Sequence, residues 1–356
     1  MPATDRHVSI LAHLRAFEAW LADPTIDEVA VNAPGSVQLW KAGAWEEVDA
    51  PEITLDYLQG LGSLLANLSK KPFDESDPIL SAHLPGGERI EMTMPPTAAR
   101  GMIYLNLRKH TSQAFDLDQF TAQGYFASTR HVQAVALGGP QRARLAAGLA
   151  PEQAALWALA RSGDWPAFLA ACVRSRQNLI VSGATGSGKT SFIRALIELI
   201  PTWERILTVE DTPEMPLRNH RNSQALFYRR EGHAGERLVG ATAKQVLQAA
   251  MRKTPNRVLL AELRGDESFY YVQNVLNSGH PGGITTVHAN SPHEAFVRIA
   301  LLIKASEEGR SLAMQEILRL LDTLVQVVVQ LVFDRQRGRH VPAIYYDPMH
   351  ALSVTR

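Results

Sequence analysis

The residues with the clearest chemistry form a glycine-rich segment, Gly183 to Thr190. It matches the pattern G-x-x-x-x-G-K-[ST] in full, in which the glycines let backbone N–H groups turn inward around phosphate oxygens. We expect Lys189 to reach the β- and γ-phosphates of ATP, and the Thr190 hydroxyl to ligate Mg²⁺. The residues expected to bind the nucleotide are Gly183, Ala184, Thr185, Gly186, Ser187, Gly188, Lys189, Thr190 and Ser191.

An unrelated glycine turn is the alternative interpretation of this segment, and its flanks argue against it. Asn178 to Val181 has the composition of a short buried strand. Thr190 to Ile200 places Phe192, Ile193 and Leu196 on one side of a helix. A strand before the loop and a helix after it are the context that a phosphate-binding loop requires, because the helix N-terminus adds a partial positive charge.

Hydrolysis also needs a carboxylate that holds a water in line and a group that senses the γ-phosphate. Glu210 and Asp211 end one predicted strand, Glu262 ends a second and His288 ends a third. Ligand groups gather at the carboxyl ends of parallel strands, so these side chains can share one edge of the sheet. Taken singly, an acidic pair after a strand is more often a cap or a solvated turn, and a lone histidine is more often a surface group. Because all of them follow the glycine loop in this order, a catalytic role is favoured over these separate alternatives.

The second acidic segment departs from the usual nucleotide-binding pattern. In that pattern an apolar strand ends with Asp followed by Glu, and the Asp helps to hold Mg²⁺. Here Ala261 stands in the place of the Asp, which leaves only Glu262. We therefore expect magnesium coordination to depend on Thr190, on water, and on Glu210 or Asp211.

The bulk composition restricts the class of protein. The chain has 356 residues, of which 46% are hydrophobic, and its 36 basic and 36 acidic side chains cancel. A protein that wraps a nucleic-acid backbone usually shows a basic excess, so a nucleic-acid motor is disfavoured. Cys172 is the only cysteine, which excludes an intrachain disulfide and a cysteine-rich zinc site. A reducing cytosol is the simplest compartment.

Membrane insertion is not expected from the pattern of apolar residues. No 18 apolar residues run without interruption, and residues 1–12 lack an apolar core of signal-peptide length. The longest apolar stretch, Leu324 to Phe333, contains Gln326 and Gln330 and is predicted to be a strand. Its residues Val325 to Phe333 form a predicted hairpin with His340 to Tyr346, around a turn at Asp334 to Arg339. We expect a soluble or at most a peripheral membrane protein.

The elements around these motifs predict two domains. Short strands and helices indicate an α+β domain over residues 1–130, and a segment rich in Ala, Gly, Arg and Gln indicates a linker over 131–164. From 165 to 356, strands alternate with helices, which predicts an α/β domain with a mainly parallel sheet. The elements predicted in the first domain are helices at Val8 to Leu21 and Leu55 to Ser69, and strands at Glu28 to Asn32, Val37 to Trp40, Arg89 to Met94 and Met102 to Arg108.

With these motifs in order, the sequence resembles the secretion "traffic" ATPases of type II and type IV secretion systems. The resemblance has four parts, of which the last two together are the most specific. It extends upstream and covers most of the chain, most weakly at the N-terminus and in the linker. The four parts are Gly183 to Thr190, the acidic box Ile206 to Glu214, the segment Met251 to Asp266 and the histidine box Ser278 to Asn290; the upstream matches are Leu84 to Arg89 and Leu105 to Lys109.

The resemblance implies a RecA-like P-loop NTPase domain and Mg²⁺-dependent hydrolysis of ATP to ADP and phosphate. Members form hexameric rings on the cytoplasmic side of the bacterial inner membrane, peripherally associated with it. They energise pilus assembly and substrate transfer together with other secretion-channel ATPases and inner-membrane components. The branches for type II secretion and pilus extension carry a four-cysteine zinc module, so Cys172 alone points to the type IV secretion branch, including conjugative transfer. No stable nucleic-acid binding is expected.

The resemblance also implies roles for single residues. Glu262 would polarise the attacking water, and Glu210 and Asp211 would support the metal and the nucleotide. His288 would sense the γ-phosphate, and His280 would lie near a subunit interface. Lys189, Glu210, Glu262 and His288 are thus the expected catalytic residues. From the N-terminal domain, Arg108 and, with less support, Arg89 would reach the phosphates, which the planar fork of arginine suits.

Two alternatives remain open at this point. A pilus-retraction ATPase would share the fold and differ in mechanical output. A nucleic-acid-dependent RecA-like motor draws support from the basic residues Arg218, Arg221, Arg229 and Arg230. A solvated loop, or a contact with anionic lipid head groups, explains those arginines at least as well.

Overall fold

The computed structural model describes residues 10–41, 43–84, 86–109, 115–134, 139–229, 240–277 and 279–355. Pro85, Arg230 and Ser278, which belong to the segments considered above, lie outside these residues, as does the start of the expected first helix. The chain divides into two compact units, Met1–Gln113 and Ala114–Arg356.

The first unit is an antiparallel sheet covered by helices. Its six strands run in the order β3-β2-β1-β6-β5-β4. The long helix begins where the Thr54 side chain accepts a hydrogen bond from the Tyr57 N–H, and it buries Leu58, Leu61 and Leu65 at helical spacing. The elements are a 3₁₀ turn at Leu14–Phe17, α1 Glu18–Ala22, β1 Ile26–Ala33, β2 Gly35–Lys41, β3 Ala44–Ala50, α2 Leu55–Ser69, β4 Ile79–His83, β5 Arg89–Thr93 and β6 Tyr104–Arg108.

The second unit is a mainly parallel α/β structure. Its elements are α3 Leu117–Ala122, β7 Arg130–Val132, α4 Gly139–Ala146, α5 Pro151–Ser162, α6 Trp165–Arg174, β8 Leu179–Gly183, α7 Lys189–Glu198, β9 Ile206–Glu210, β10 Ser223–Phe227, α8 Ala243–Met251, β11 Arg257–Leu260, α9 Glu267–Tyr270 with a π-helical turn at Tyr271–Leu276, β12 Ile284–Val287, α10 Pro292–Ala305, a 3₁₀ turn at Gly309–Ser311, α11 Met314–Leu324, β13 Val327–Asp334, β14 Gly338–Tyr346 and α12 Pro348–Thr355.

The strands of the second unit bring the sequence motifs to one edge. Two ladders, β10-β9-β11 and β12-β8-β13-β14-β7, meet where the Leu263 N–H donates to Thr286 O at 2.9 Å and the Thr286 hydroxyl donates to Ala261 O at 2.8 Å. All neighbouring strands are parallel except β13 and β14, which form the predicted hairpin. The carboxyl ends of β8, β9, β11 and β12 therefore share an edge.

Both faces of this sheet are covered at β8, which explains why that strand is buried throughout and mainly apolar. Along β8, Leu179 and Val181 join one hydrophobic cluster and Ile180 joins the other. Phe192 and Leu196 of α7 pack in the first cluster, and Tyr271 lies in the second. Among the described residues, no helix is both long and apolar enough to cross a membrane.

The division between the units differs from the expected boundary near residue 130 and the expected linker over 131–164. Arg130–Val132 is strand β7, which pairs in parallel with β14 at the edge of the sheet. Helix α5 buries Leu156 and Ala160 in the same hydrophobic cluster as Phe168. These apolar positions, and not the Ala- and Gln-rich composition around them, attach the segment to the second unit.

Candidate functional site

The glycine loop connects β8 to α7 in a conformation that depends on its small residues. Gly186 and Gly188 have φ values of +79° and +95°, a region that side chains with a Cβ rarely adopt. A Cβ placed at Gly183 would lie 2.5 Å from Ser187 Oγ and 2.6 Å from Leu331 O, so the loop packs closely against β13. Helix α7 begins directly after Gly188, which puts its N-terminus at the loop.

Lys189 lies across this loop and is 8% exposed. Its Nζ donates to Gly183 O at 2.7 Å and to Ala184 O at 3.0 Å. The same Nζ lies 3.3 Å from His288 Nδ1, at the end of β12. The lysine ammonium is thus held at the loop by carbonyl oxygens and is linked to the neighbouring strand.

A continuous set of polar contacts leads from Lys189 along the carboxyl edge of the sheet. His288 Nε2 lies 2.9 Å from Glu262 Oε1, just beyond β11. The other Glu262 oxygen accepts a hydrogen bond from Arg264, whose Nη1 also lies 3.1 Å from Asp211 Oδ2, just beyond β9. These contacts therefore join the ends of β12, β11 and β9 to the glycine loop. The residues that make them are, in order, Lys189, His288, Glu262, Arg264 and Asp211.

Burial and the neighbouring charges determine the protonation state of His288. Burial lowers the pKa of His288, the Lys189 charge lowers it further, and Glu262 opposes both. The imidazole is therefore neutral near pH 7. Because Nδ1 faces an ammonium group, it acts as the acceptor, and the proton resides on Nε2, which donates to Glu262. Burial disfavours the charge of Arg264, but its hydrogen bond with Glu262 and the charges of Glu262 and Asp211 raise its pKa overall.

Glu210 is placed differently from the other expected catalytic residues. It is 1% exposed, and Oε1 accepts from the Thr208 hydroxyl at 2.6 Å. Oε2 accepts from the backbone N–H groups of Glu214 and Met215, both at 2.7 Å. Burial raises the pKa of Glu210 while these hydrogen bonds oppose the rise. Both carboxylate oxygens are used to shape the acidic loop, so these contacts support a structural role.

That shaped loop brings a second carboxylate, Glu214, to the glycine loop. The Thr190 hydroxyl donates to Glu214 Oε2 at 3.1 Å. The sequence pattern included Glu214 at the end of the acidic box and gave it no role. Glu214 follows Thr212 and Pro213, beyond the end of β9. Its distance from that strand in the sequence gave no indication that its side chain turns back to Thr190.

These oxygens fit Mg²⁺, which prefers hard oxygen ligands and usually binds through one or two carboxylates, substrate phosphates and water. Thr190 and Glu214 lie together at the helix N-terminus, and Asp211 is on the same loop. Within the part of the chain that the structure describes, no group of three His, Cys, Asp or Glu side chains could hold a metal by itself. The donor set therefore suits a magnesium ion that arrives with a nucleotide.

Arg339 contacts the glycine loop, and the sequence patterns missed it. Its Nε donates to Gly186 O at 3.0 Å, and its Cδ lies 3.3 Å from a Cβ placed at Gly188. The guanidinium also lies 5.7 Å from the centre of the Phe333 ring. Arg339 is the last residue of the predicted hairpin turn and lies in β14. Basic residues in such a turn are not in themselves a signal of binding.

The histidine box spans the sheet, because its two histidines lie at opposite ends of β12. His280 Nδ1 is 2.9 Å from Pro255 O, in the loop before β11. The N–H groups of Gly282 and Gly283 donate to Asn178 Oδ1 at 2.9 and 3.0 Å. His280 therefore belongs to the amino edge of the sheet and His288 to the carboxyl edge.

Arg89 and Arg108 belong to the first unit. They are directly opposite one another on β5 and β6, and Glu28 of β1 is opposite Arg108 on its other side. Two like charges in opposite positions are unfavourable unless an anion lies near them, and Glu28 offsets one of the two.

Comparison with known proteins agrees with the geometry of the second unit. The family model described as "Type II/IV secretion system protein" matches residues 160–344. The type IV secretion system protein VirB11 of Brucella suis biovar 1 (strain 1330) is 38% identical over 349 residues, which cover 97% of this chain and 92% of the relative. VirB11 of Bartonella quintana (strain Toulouse) is 36% identical over 346 residues, which cover 97% and 95%.

Solved structures agree in fold. The crystal structure of the Brucella suis VirB11 ATPase in complex with sulphate is 36% identical in sequence, with a TM-score of 0.54 over 99% of this chain and 98% of that one. The pilus retraction motor PilT with bound ADP has a TM-score of 0.56 over 96% and 87% of the two chains, at 16% identity, and thus shares the fold alone. The extent of these matches shows that this chain belongs to the type II/IV secretion system protein family.

Proposed function

We propose that this chain is the ATP-hydrolysing motor of a type IV secretion system. The observation that carries the proposal is the set of contacts that joins Lys189 of the phosphate-binding loop to Glu262 through His288. VirB11 relatives at 36% to 38% identity over nearly the whole chain support the type IV branch. PilT, at 16% identity, gives the retraction alternative no support beyond the fold.

The chemistry follows from the positions of these groups. Lys189 stabilises the charge that develops on the transferred phosphoryl group, next to loop N–H groups that hold the phosphates. Glu262 accepts a hydrogen bond from the attacking water and orients it, and Arg264 holds this carboxylate in place. His288 lies between the two and registers the γ-phosphate through Lys189. A bound Mg²⁺ would neutralise part of the phosphate charge, and Thr190, Glu214 and Asp211 would hold it, directly or through water.

The assembled form that we propose is a homo-hexameric ring at the cytoplasmic face of the inner membrane. It would be peripherally associated and would act with other secretion-channel ATPases and inner-membrane components. The support is the membership of the family and the similarity to VirB11 relatives, which are type IV secretion system proteins.

Purified protein tests both parts of this proposal. We expect Mg²⁺-dependent release of phosphate from ATP, and light scattering or native mass spectrometry in ATP and Mg²⁺ should give the mass of a hexamer. Only monomer under these conditions would refute the ring. In the parent bacterium, deletion of the gene should stop type IV substrate transfer, and the wild-type gene should restore it.

Substitution of Arg339 is expected to weaken nucleotide binding. Arg339→Ala removes the donor to Gly186 O and a positive charge beside the loop, so we expect KM for ATP to rise about tenfold with a smaller change in kcat, as for the loss of one charge-assisted hydrogen bond. Steady-state kinetics measure both constants. Arg337→Ala is the matched control, because this exposed arginine lies on the same turn. Equal effects of the two substitutions would contradict a specific contact.

Substitution of Arg108 tests the proposed contribution of the first unit. Arg108→Ala should weaken ATP binding or turnover several-fold, since an arginine binds phosphate oxygens in a bidentate manner. Thermal stability should change little, because Arg108 is exposed at a strand end. Arg100→Ala, an exposed arginine in a loop of the same unit, is the control. Kinetics that match those of wild type would remove Arg108 from the mechanism.

The pH dependence follows from the lowered pKa of His288. Protonation would place a second cation beside Lys189 and remove the acceptor at Nδ1, so kcat/KM should fall in acid. Because the pKa is depressed, the neutral form persists below about pH 6.5, the ordinary midpoint for histidine, and the fall should occur below that value. A pH profile of His288→Asn should lack this transition. A transition that persists unchanged in the variant would assign it to another group.

A further inference from the structure

Basic side chains are concentrated at the amino edge of the parallel sheet, opposite the glycine loop. Four loops lead into β8, β9, β10 and β11, namely residues 174–178, 201–205, 219–222 and 252–256. They contain six Arg or Lys residues and one acid, Glu204, although the whole chain has equal numbers of basic and acidic residues. We call these six residues and Trp203 the strand-start patch; the six are Arg174, Arg176, Arg205, Arg221, Arg252 and Lys253.

Contacts between the loops show that this patch is continuous. Arg205 Nε donates to Lys253 O at 2.9 Å, and its guanidinium also donates to Asn222, beside Arg221. The Arg176 guanidinium lies 5.6 Å from the centre of the Trp203 ring. The patch is thus one surface, assembled from loops that are distant in sequence.

The positive charge of this surface is largely uncompensated. Glu204 is 1% exposed and is held by the buried Arg257, with oxygens 2.7 and 3.0 Å from Nε and Nη2. Arg176 reaches the same carboxylate at 3.4 Å, so the one acid of the four loops is already shared. Arg205 donates to neutral oxygens. Glu198 accepts a hydrogen bond from Asn219 of the third loop.

Helix termini explain part of this charge. Arg174 ends α6, and Arg252 and Lys253 follow α8, where cations complement the negative end of the helix dipole. This does not account for Arg205 and Arg221, which precede strands. Nor does it account for Trp203, which is 70% exposed, the highest value among the large hydrophobic side chains of the described residues.

An exposed indole surrounded by cations is a combination that fits contact with the surface of a lipid bilayer. Trp is enriched at the level of lipid head groups, where its ring contacts acyl chains and its N–H stays near water. Cations around it are attracted to anionic lipid. A track for single-stranded nucleic acid would instead carry several aromatic platforms in a row, and the patch has one.

We propose that the strand-start patch binds the surface of a bilayer that contains anionic lipid, with Trp203 at the head-group level. This inference rests on the proposed peripheral association with the inner membrane and specifies the surface that makes it. The carboxyl edge of the sheet, with Lys189 and Glu262, then faces away from the lipid.

Co-sedimentation of the full-length protein with vesicles tests the inference. Vesicles of phosphatidylglycerol and phosphatidylcholine in equal parts should bind the wild type, and pure phosphatidylcholine should bind it at least about tenfold more weakly. The variant Arg174→Gln, Arg221→Gln, Arg252→Gln removes three exposed charges and should lose at least about tenfold in affinity. The matched control Arg298→Gln, Arg310→Gln, Arg319→Gln removes three exposed charges elsewhere in the second unit and should stay within about twofold of wild type.

Trp203 gives an independent measurement. Trp203→Ser should weaken vesicle binding several-fold. The fluorescence of Trp203 itself is the emission of the wild type minus that of Trp203→Phe. Addition of anionic vesicles should protect this emission from quenching by acrylamide. The inference is overturned if the wild type does not bind these vesicles, or if both triple variants lose affinity for them equally. It is also overturned if the first triple variant loses affinity for single-stranded DNA and keeps its affinity for the vesicles. ATP hydrolysis without vesicles should be unchanged in all variants, so failure of lipid binding is distinguishable from failure of the proposed ATPase function.

Discussion

Lys189→Ala should abolish ATP hydrolysis while the protein remains folded. The ammonium group is held by Gly183 O and Ala184 O at the loop, where we propose that it contacts the transferred phosphoryl group. Loss of a preorganised charge at this position removes stabilisation that exists mainly in the transition state, and we expect kcat to fall by roughly 10²- to 10³-fold or more. Phosphate release under saturating ATP measures the loss, and Lys189→Gln should behave in the same way.

The control for this prediction is a lysine of the same unit that lies away from the loop. Lys244 pairs with Glu308 at the surface, and exposed pairs contribute little to stability. Lys244→Ala should therefore keep wild-type turnover. Both variants should retain the circular dichroism spectrum and melt close to wild type. Hydrolysis by Lys189→Ala within about twofold of wild type would disprove the assignment of the phosphate-binding loop.

The features that could be predicted from the sequence are those in which a local pattern determines position. The spacing and the short runs of apolar residues predicted α2 and most strands, and the glycine pattern predicted the loop between β8 and α7. The meeting of Glu262, His288 and Asp211 was also predictable, because the carboxyl ends of parallel strands share an edge whatever the connections between them.

The contacts that sequence patterns did not predict depend on tertiary structure. Arg339 reaches Gly186 only because β13 lies beside β8, which places the hairpin turn above the loop. Glu214 reaches Thr190 because Glu210 is buried and organises the chain that follows it. Spacing placed Glu210 at a strand end and could not determine whether its side chain faces the loop or the interior.

The predicted linker, residues 131–164, and the residues just before it show the same limit in the choice between linker and domain. Its composition is that of a solvated connection, and its helices are short. Trp157 and Leu156 nevertheless provide apolar contacts, and the Thr129 hydroxyl and the His131 ring meet backbone oxygens of β14. Pairing of β7 with a strand more than 200 positions away has no local signature.

Glu262→Gln should bind ATP nearly as wild type does and turn it over at least about a hundredfold more slowly, as expected when a water-orienting carboxylate is lost. Gln preserves the size of the side chain, and its carbonyl oxygen can still accept from His288 Nε2, 2.9 Å away in the wild type. Its amide group cannot take a proton from water, and it loses the charge that pairs with Arg264. Single-turnover kinetics and titration with a fluorescent nucleotide measure the two effects separately.

The separation of binding from turnover decides the role of Glu262. A carboxylate that orients water acts on the chemical step, so its loss lowers kcat and leaves nucleotide affinity within a few-fold. A direct metal ligand acts on binding as well, because Mg²⁺ arrives with the phosphates. Loss of nucleotide binding in Glu262→Gln would therefore identify a metal ligand and contradict our assignment. Glu294→Gln, on α10 beyond the histidine box, should change neither quantity, because Gln can still accept the hydrogen bond that Glu294 receives from the Asn290 N–H.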